Sequence, residues 1–290
     1  MSSDTTRKLR QALKDGLVVA PFIYDGLTAK IAAAHGFNAV YMTGHGTAAQ
    51  AGFPDFGLIS FKEMLTNLTY IANAVDVPVV ADADTGYGNA INVGRTVRDY
   101  QAAGAAALHM EDQTFPKKCG FFEGKQVIPV DEYLAKLRAA LDARTDDNFV
   151  IIARTDALAV AGWDEVELRA HKYREAGADM VFVDGIKTPD DLEQYSRRLV
   201  SAGIPCLYNG SLAPTGEIKA KGFSLMITGG GHGLSYMAVK RAMLDVVEGR
   251  HAYGERTNLD FNGITDLLGL PEIYEIERRY GRPLTASATR

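Results

Sequence analysis

The chain has 290 residues, of which 47% are hydrophobic, 23% charged and 9% aromatic. That balance is typical of a folded globular protein and excludes disordered and fibrous classes. The net charge of −5 gives no basic footprint for nucleic acid, and no apolar run approaches the roughly 20 residues that span a bilayer. The first residues lack the apolar core of a secretory signal, and two cysteines cannot form a disulfide framework. We therefore expect a cytoplasmic protein that binds neither nucleic acid nor membrane.

Eight short apolar runs, each rich in β-branched or aromatic residues, follow one another along the chain. They lie at 18–23, 39–44, 77–84, 107–112, 149–157, 180–185, 205–210 and 224–230. Continuous apolar runs of this kind are typical of strands buried on both faces of a parallel sheet. Amphipathic stretches with helical spacing lie between them, for example at 27–36, 91–104, 131–144 and 164–177.

This alternation of strands and helices favours an α/β fold, a closed (β/α)8 TIM-type barrel of parallel strands. An open doubly wound sheet is the main alternative, but it usually has a Gly-rich phosphate turn after its first strand, and Tyr24-Asp25-Gly26 is not such a turn. No linker divides the chain, so we predict a single domain over 1–290 with a C-terminal helical extension from about residue 255. The last predicted helix, at 271–281, must pack outside the barrel or on a neighbouring subunit.

Polar side chains end most of the predicted strands from the third to the seventh, which is where barrel active sites lie. They are Asp82, Asp84, His109, Glu111, Arg154, Asp156, Asp184 and Asn209. Because strand side chains alternate, residues spaced by two lie on one face. Closely spaced carboxylates suit Mg²⁺ or Mn²⁺, although Asp-Ala-Asp-Thr-Gly is also a common turn sequence. We predict that Asp82 and Asp84 hold the metal, with Glu111 nearby.

A long polar segment at 113–129 follows the fourth predicted strand. Loops of this length in a compact barrel are often lids over the site. Cys119 lies at its middle beside Lys117 and Lys118, and neighbouring cations favour the thiolate. The alternative is an inert surface cysteine.

Several segments together resemble the isocitrate lyase/phosphoenolpyruvate mutase superfamily, and within it the short lyases such as methylisocitrate lyase, 2,3-dimethylmalate lyase and the petal death protein. They are YMTGHGTAA (41–49), GFPDFG (52–57), VADADTGYGN (80–89), LHMEDQ (108–113), KKCGF (117–121), IIARTDA (151–157) and YNGS (208–211). The resemblance extends over about residues 15–250. It implies a barrel whose eighth helix is exchanged between subunits, a homotetramer built as a dimer of dimers, and a bound Mg²⁺ or Mn²⁺.

The resemblance also implies a role for each residue of the site. The expected catalytic residues are Cys119, Tyr41, Arg154 and Glu111, the metal ligands are Asp82 and Asp84, and the substrate-binding residues are Tyr41, Thr43, Gly44, Asp55, His109, Gly120, Phe121, Arg154, Asp184, Asn209 and Ser211. Cys119 is the expected acid/base on the gating loop. Arg154 is expected to bind one substrate carboxylate, and Asn209 with Ser211 the other.

The expected function is a Mg²⁺-dependent carbon–carbon lyase that cleaves a 2-hydroxydicarboxylate, a substituted malate or methylisocitrate-like compound, to an α-keto acid and a saturated carboxylate. The alternatives are an oxaloacetate hydrolase or decarboxylase on the same scaffold, and a non-catalytic barrel that binds a keto acid. A phosphonate mutase or hydrolase is less favoured because those branches lack the lid cysteine.

Three positions depart from the pattern of the lyases. Phe121 replaces the histidine that follows Cys-Gly there, which favours a substrate whose second fragment carries alkyl groups or lacks one carboxylate. His45 lies where the lyases tend to have consecutive glycines; it could point into the pocket or cap the turn, and we favour the turn. We interpret Gly229–Gly233 as a flexible or tight turn rather than as a phosphate site.

Overall fold

The computed structural model of the protein describes residues 2–120, 122–229, 231–250 and 261–281. Eight parallel strands close into a barrel in chain order, and the first strand pairs with the eighth. The strands are β1 (Val18–Ile23), β2 (Val40–Met42), β3 (Val79–Asp82), β4 (Ala107–Glu111), β5 (Val150–Thr155), β6 (Met180–Val183), β7 (Cys206–Asn209) and β8 (Leu225–Thr228). The predicted (β/α)8 barrel is therefore confirmed.

Helices connect successive strands, and each of the five that the sequence predicts begins one residue earlier than expected. The helices are α1 (Ser2–Asp15), α2 (Gly26–Ala34), α3 (Gly44–Gln50), α4 (Phe61–Ala74), α5 (Ala90–Ala103), α6 (Val130–Ala143), α7 (Leu158–Ala161), α8 (Trp163–Glu175), α9 (Pro189–Tyr195), α10 (Thr215–Ala220), α11 (Gly231–Val247), α12 (Phe261–Leu267) and α13 (Leu270–Tyr280). Side-chain caps fix several of these starts. The Asp25 carboxylate, for example, accepts a hydrogen bond of 2.7 Å from the backbone N–H of Thr28.

Helix α1, which the sequence analysis does not predict, packs against the starts of the strands. Leu9 is fully buried in the same apolar cluster as Val18 and Ala106. Arg10 fastens the helix with hydrogen bonds of 2.9 Å to the carbonyl of Asn148 and 2.8 Å to the Asp179 carboxylate. Since this end of the barrel is covered, the opposite end, where the strands finish, is left for a site.

Apolar side chains fill the barrel interior up to the level at which the polar residues begin. Val80, Ile152 and Phe182 are completely buried in one cluster. The His109 ring lies edge-on to Phe182 at 5.4 Å and stacks on the Tyr41 ring at 5.6 Å. The interior is therefore a packed core that forms the floor of the strand-end mouth.

The chain divides into two compact units, one ending at Tyr236 and one beginning at Met237. The second unit contains the rest of α11 together with α12 and α13. The single domain over 1–290 stays a prediction, and the expected start of the extension near residue 255 lies outside the described residues. In the part of the chain that the structure describes, no helix is long and apolar enough to cross a membrane.

Candidate active site

A cavity of about 620 Å³ opens at the C-terminal ends of the strands. Ten of the predicted site residues line it, namely Tyr41, Thr43, Asp55, Asp82, Cys119, Gly120, Arg154, Asp184, Asn209 and Ser211. Residues far apart in sequence therefore meet at one mouth, as barrel closure requires.

Four predicted residues lie just behind the cavity wall and contact residues that form it. The Gly44 N–H donates to Asp82 at 3.0 Å, and Asp84 donates its backbone N–H to the same carboxylate at 3.0 Å. His109 Nε2 lies 2.8 Å from the Tyr41 hydroxyl, and Glu111 Oε2 lies 3.2 Å from Arg154 Nε. Phe121 lies outside the described residues.

Arg154 is fixed by carboxylates on two sides. Its Nε and one Nη donate to Asp156 at 2.9 and 3.2 Å, and the same Nη donates to Asp184 at 2.9 Å. Asn209 in turn donates to Asp184 at 3.2 Å. Burial opposes the charge of Asp156, but Arg154 and Lys125 lower its pKa to about 2. The guanidinium is thus held in one orientation at the cavity wall, ready to bind an anionic group.

Lys117 supplies a buried positive charge between two acidic residues. Its Nζ hydrogen-bonds Asp55 and lies 2.7 Å from Asp84 Oδ1. Asp84 has a φ of 47°, a left-handed conformation that costs backbone energy and is tolerated best by Asn and Asp. Burial and the nearby carboxylates raise the pKa of Asp84 to about 6, although Lys117 opposes this shift.

The pKa values of Glu111 and Asp82 shift in opposite directions, although burial raises both. Burial raises the pKa of Glu111 well above its usual value. Among the residues that the structure describes, Oε1 of Glu111 has no hydrogen-bond partner. Burial alone would also raise the pKa of Asp82, but the surrounding positive charge, including Lys117 and Arg154, lowers it to about 2.

The mouth holds more buried acidic groups than basic ones. Six carboxyl groups lie there, those of Asp55, Asp82, Asp84, Glu111, Asp156 and Asp184. Their described basic partners are Lys117, Lys125 and Arg154. A buried excess of negative charge, with an unpartnered oxygen on Glu111, fits a hard divalent cation with oxygen ligands. The residues present therefore fit the predicted ion at Asp82 and Asp84.

A second cluster on the cavity wall combines different donor atoms. Ligand atoms of His45, Asp55 and Cys119 lie within 4.8 Å of one another. Nitrogen, oxygen and sulfur together are not the donor set that Mg²⁺ prefers. We therefore do not assign the predicted Mg²⁺ or Mn²⁺ to this cluster.

The segment 113–129 lies over the mouth and is tied to it at several points. The Cys119 N–H donates to the carbonyl of Asp55 at 3.0 Å. Lys125 Nζ donates to the carbonyl of Gly120 at 2.6 Å and to Asp156 at 2.9 Å. The segment therefore places Cys119 and Gly120 in the wall of the cavity, as a closed lid would.

Two sequence interpretations need correction, while the effect of Lys117 and Lys118 on the thiol stays a prediction. The Lys117 ammonium contacts carboxylates, and the Lys118 ammonium donates to the carbonyls of Glu123 and Gly124. His45 is the second residue of α3 instead of part of a simple turn; it lines the cavity, and its Nδ1 lies 3.8 Å from Cys119 Sγ. Gly231–Gly233 belongs to the first turn of α11, while Gly230 is outside the described residues.

Seven cavity residues were not predicted. They are Phe22, His45, Gly210, Thr228, Gly229, His232 and Leu234. Most have no polar side chain that sequence reasoning could single out. Thr228 and the two histidines are the exceptions, and both histidines lie among glycines next to predicted strand ends.

Comparison with known proteins identifies the class. The family model described as phosphoenolpyruvate phosphomutase matches residues 8–247. The 2,3-dimethylmalate lyase of Eubacterium barkeri is 38% identical, covering 96% of this chain and 98% of its own length. The chain therefore belongs to the phosphoenolpyruvate mutase/isocitrate lyase superfamily, as the resemblance implies.

Solved structures agree with this membership. Oxaloacetate acetylhydrolase bound to 3,3-difluorooxalacetate has a TM-score of 0.88 and 35% identity, covering 97% of this chain and 98% of its own. Phosphonopyruvate hydrolase, solved with oxalate and Mg²⁺, has a TM-score of 0.86 and 31% identity, covering 97% and 100%. Relatives on this fold thus include a lyase and hydrolases.

Gly120 lets the backbone of the lid approach the Asp184 carboxylate more closely than a residue with a side chain would allow. A Cβ at this position would lie 1.3 Å from Asp184 Oδ2. We predict that Gly120→Ala displaces Asp184 or the lid and weakens oxalate binding at least about tenfold, a loss of about 1.4 kcal/mol. Isothermal titration with oxalate and Mg²⁺ measures this.

The matched control is Gly216→Ala, because a Cβ at Gly216 in α10 meets nothing within 4 Å. It should leave the affinity for oxalate unchanged. Equal affinities for Gly120→Ala and the unmodified protein would show that the Gly120–Asp184 approach does not shape the site.

Proposed function

We propose that this protein is a divalent-metal-dependent carbon–carbon lyase that cleaves a 2-hydroxydicarboxylate to an α-keto acid and a saturated carboxylate. One observation carries the proposal: a thiol, an oriented guanidinium and Asp82 line the same cavity, and Asp84 lies directly behind Asp82. Cleavage of the carbon–carbon bond requires three groups together: one that binds an anion, one that stabilises the keto acid and one that donates a proton. The named lyase among the relatives supports the same reaction class.

Asp82 and Asp84, with Glu111 close behind them, are the residues that would hold Mg²⁺ or Mn²⁺. When bound, the cation stabilises negative charge that develops on the oxygens of the keto-acid fragment. The relative solved with oxalate and Mg²⁺ supports this choice of ion.

Residues of this chain bind the two ends of the substrate. The Tyr41 hydroxyl stays protonated because burial, reinforced by the charge of Asp82, raises its pKa well above the usual value. With Thr43 and Gly44 it would bind the keto-acid end as a hydrogen-bond donor. Arg154 would bind a carboxylate, and Asn209 with Ser211 would bind the other.

Two proton transfers complete the reaction. Asp55, paired with Lys117, would accept the proton of the substrate hydroxyl. The bond between C2 and C3 then breaks, and its electron pair stays on C3. The Cys119 thiol donates its proton to C3 and becomes a thiolate, and the closed lid keeps water from competing for the carbanion.

The proposed substrate class is based on Phe121, which replaces the histidine that follows Cys-Gly in the lyases. A phenyl ring cannot pair with a carboxylate, so we propose a second fragment with alkyl substituents or with one carboxylate fewer than in isocitrate. This agrees with the name of the 2,3-dimethylmalate lyase relative.

A second candidate is an oxaloacetate hydrolase or decarboxylase, which the structural likeness to oxaloacetate acetylhydrolase supports. A keto-acid-binding protein without catalysis would require no thiol in the lid. The oxaloacetate enzyme and the non-catalytic binding protein both predict no keto-acid release from substituted malates.

We predict that Cys119→Ser lowers turnover by about 10²- to 10⁴-fold, the range for loss of a general acid. Its affinity for Mg²⁺ and oxalate should stay unchanged. Keto-acid release from a panel of alkyl malates, methylisocitrate and isocitrate, together with consumption of oxaloacetate, measures the activity, and Cys206→Ser, at the buried second cysteine, is the control.

Three outcomes would contradict the proposal. Full turnover by Cys119→Ser would remove the thiol from the mechanism. Turnover of isocitrate or methylisocitrate as fast as any alkyl malate would refute the substrate class. Consumption of oxaloacetate alone would assign the hydrolase or decarboxylase function.

We also propose the homotetramer with an exchanged eighth helix, in a cytoplasmic location. Large apolar side chains of α11 are exposed in the single chain, including Met237, Val239, Met243 and Val247. Apolar surface of this kind on one helix is typical of subunit interfaces. Light scattering after size-exclusion chromatography should give the mass of four chains, and the mass of one chain would contradict this proposal.

A further inference from the structure

His45 occupies a position that the proposed reaction does not yet use. It lies in the first turn of α3, half-buried, and lines the cavity. Its Nδ1 lies 3.8 Å from the Cys119 sulfur, within reach of a hydrogen bond that involves sulfur. The imidazole is therefore the nearest titratable nitrogen that the described contacts give to the proposed proton donor.

Every element that packs around His45 adds a group that bears on its charge. The lid contributes Cys119, and the segment after α3 contributes Asp55, whose carboxylate lies within 4.8 Å of both His45 and Cys119. Lys117 is paired with that carboxylate. The first turn of α11 contributes His232, whose ring centroid lies 4.3 Å from that of His45.

His232 supports the His45 ring without competing for its proton. Burial, followed by the proximity of His45, lowers the pKa of His232, so that this imidazole is neutral near pH 7. Nδ1 of His232 has no hydrogen-bond partner among the described residues. The neutral His232 ring thus contacts the His45 ring at a tilt of 34°, while Nδ1 of His45 lies 3.8 Å from the thiol.

We propose that His45 is the proton-transfer partner of Cys119 and resets the thiol after each turnover. This inference rests on the proposed lyase function for its role in catalysis, but the pairing itself does not depend on it. His45 acts through Cys119 and makes no contact with substrate that the mechanism needs, so it is a positioning residue.

The proton balance of the cycle closes within this cluster. The substrate hydroxyl gives its proton to Asp55, and the Cys119 S–H bond breaks as the C–H bond at C3 forms. Asp55 then passes this proton to the His45 imidazole, and the resulting imidazolium donates a proton from Nδ1 to the Cys119 thiolate, which restores the S–H bond and leaves the imidazole neutral. No external acid, oxidant or reductant is required.

The test measures the rate at which iodoacetamide alkylates Cys119 as a function of pH, in a Cys206→Ser background. An imidazole partner stabilises the thiolate, so alkylation should continue below the pH of about 8.5 at which an ordinary cysteine loses reactivity. His45→Gln removes the imidazole and should slow alkylation at pH 6.5 by about tenfold or more.

Two further variants make the test specific to the imidazole. His35→Gln, at an exposed histidine after α2, should give the profile of the unmodified protein. His45→Gly leaves space at the cavity wall, and added imidazole should restore its alkylation at pH 6.5. Turnover in His45→Gln should fall in kcat with little change in KM.

Superimposable alkylation profiles for the unmodified protein and His45→Gln would overturn the inference, as would a profile with its inflection near pH 8.5 in the unmodified protein. Because alkylation needs no substrate, this result is independent of whether any malate is cleaved. Absence of lyase turnover with a shifted alkylation profile would refute the proposed function and leave the His45–Cys119 pair standing.

Discussion

Buried carboxyl groups at the end of an apolar barrel are the feature on which the rest of this structure depends. Burying a charge is costly unless it is paired, and here Asp82, Asp84 and Glu111 share Lys117 and Arg154 with other acids. The raised pKa values of Asp84 and Glu111 show how burial alone would resolve this excess, by keeping protons on the carboxyls. A divalent cation resolves it without those protons, which links the fold to metal-dependent chemistry.

Much of the structure could be predicted from the sequence because the constraints are local. Continuous apolar runs become strands buried on both faces, and the alternation of side chains sets which residues point into the mouth. That is why Asp82, Arg154, Asp184 and Asn209 lie in one cavity as expected. The start of α2 follows in the same way from the Asp25 cap.

Other features depend on contacts between distant segments, which no local pattern reveals. The pairing of Lys117 with Asp55 and Asp84 requires the lid to lie over the mouth. The contact between the His45 and His232 rings joins α3 to the first turn of α11. The glycines around both histidines favour a turn. A Gly-rich segment can also form the first turn of a helix that packs closely against another segment, so the local sequence does not distinguish the two. The packing of α1 on the end of the barrel where the strands begin likewise depends on distant contacts, since Leu9 lies in one apolar cluster with Ala106.

The central claim is that a divalent cation at Asp82 and Asp84 and the Cys119 thiol of the lid act in the same cavity. A crystal structure grown with Mg²⁺ and oxalate tests this claim most directly. The account predicts a Mg²⁺ ion bound by Asp82 and Asp84, directly at about 2.0–2.1 Å or through its waters, with the Cys119 sulfur facing the same cavity. A structure at saturating Mg²⁺ that left both aspartates without an ion, or placed the ion away from the strand ends, would contradict it.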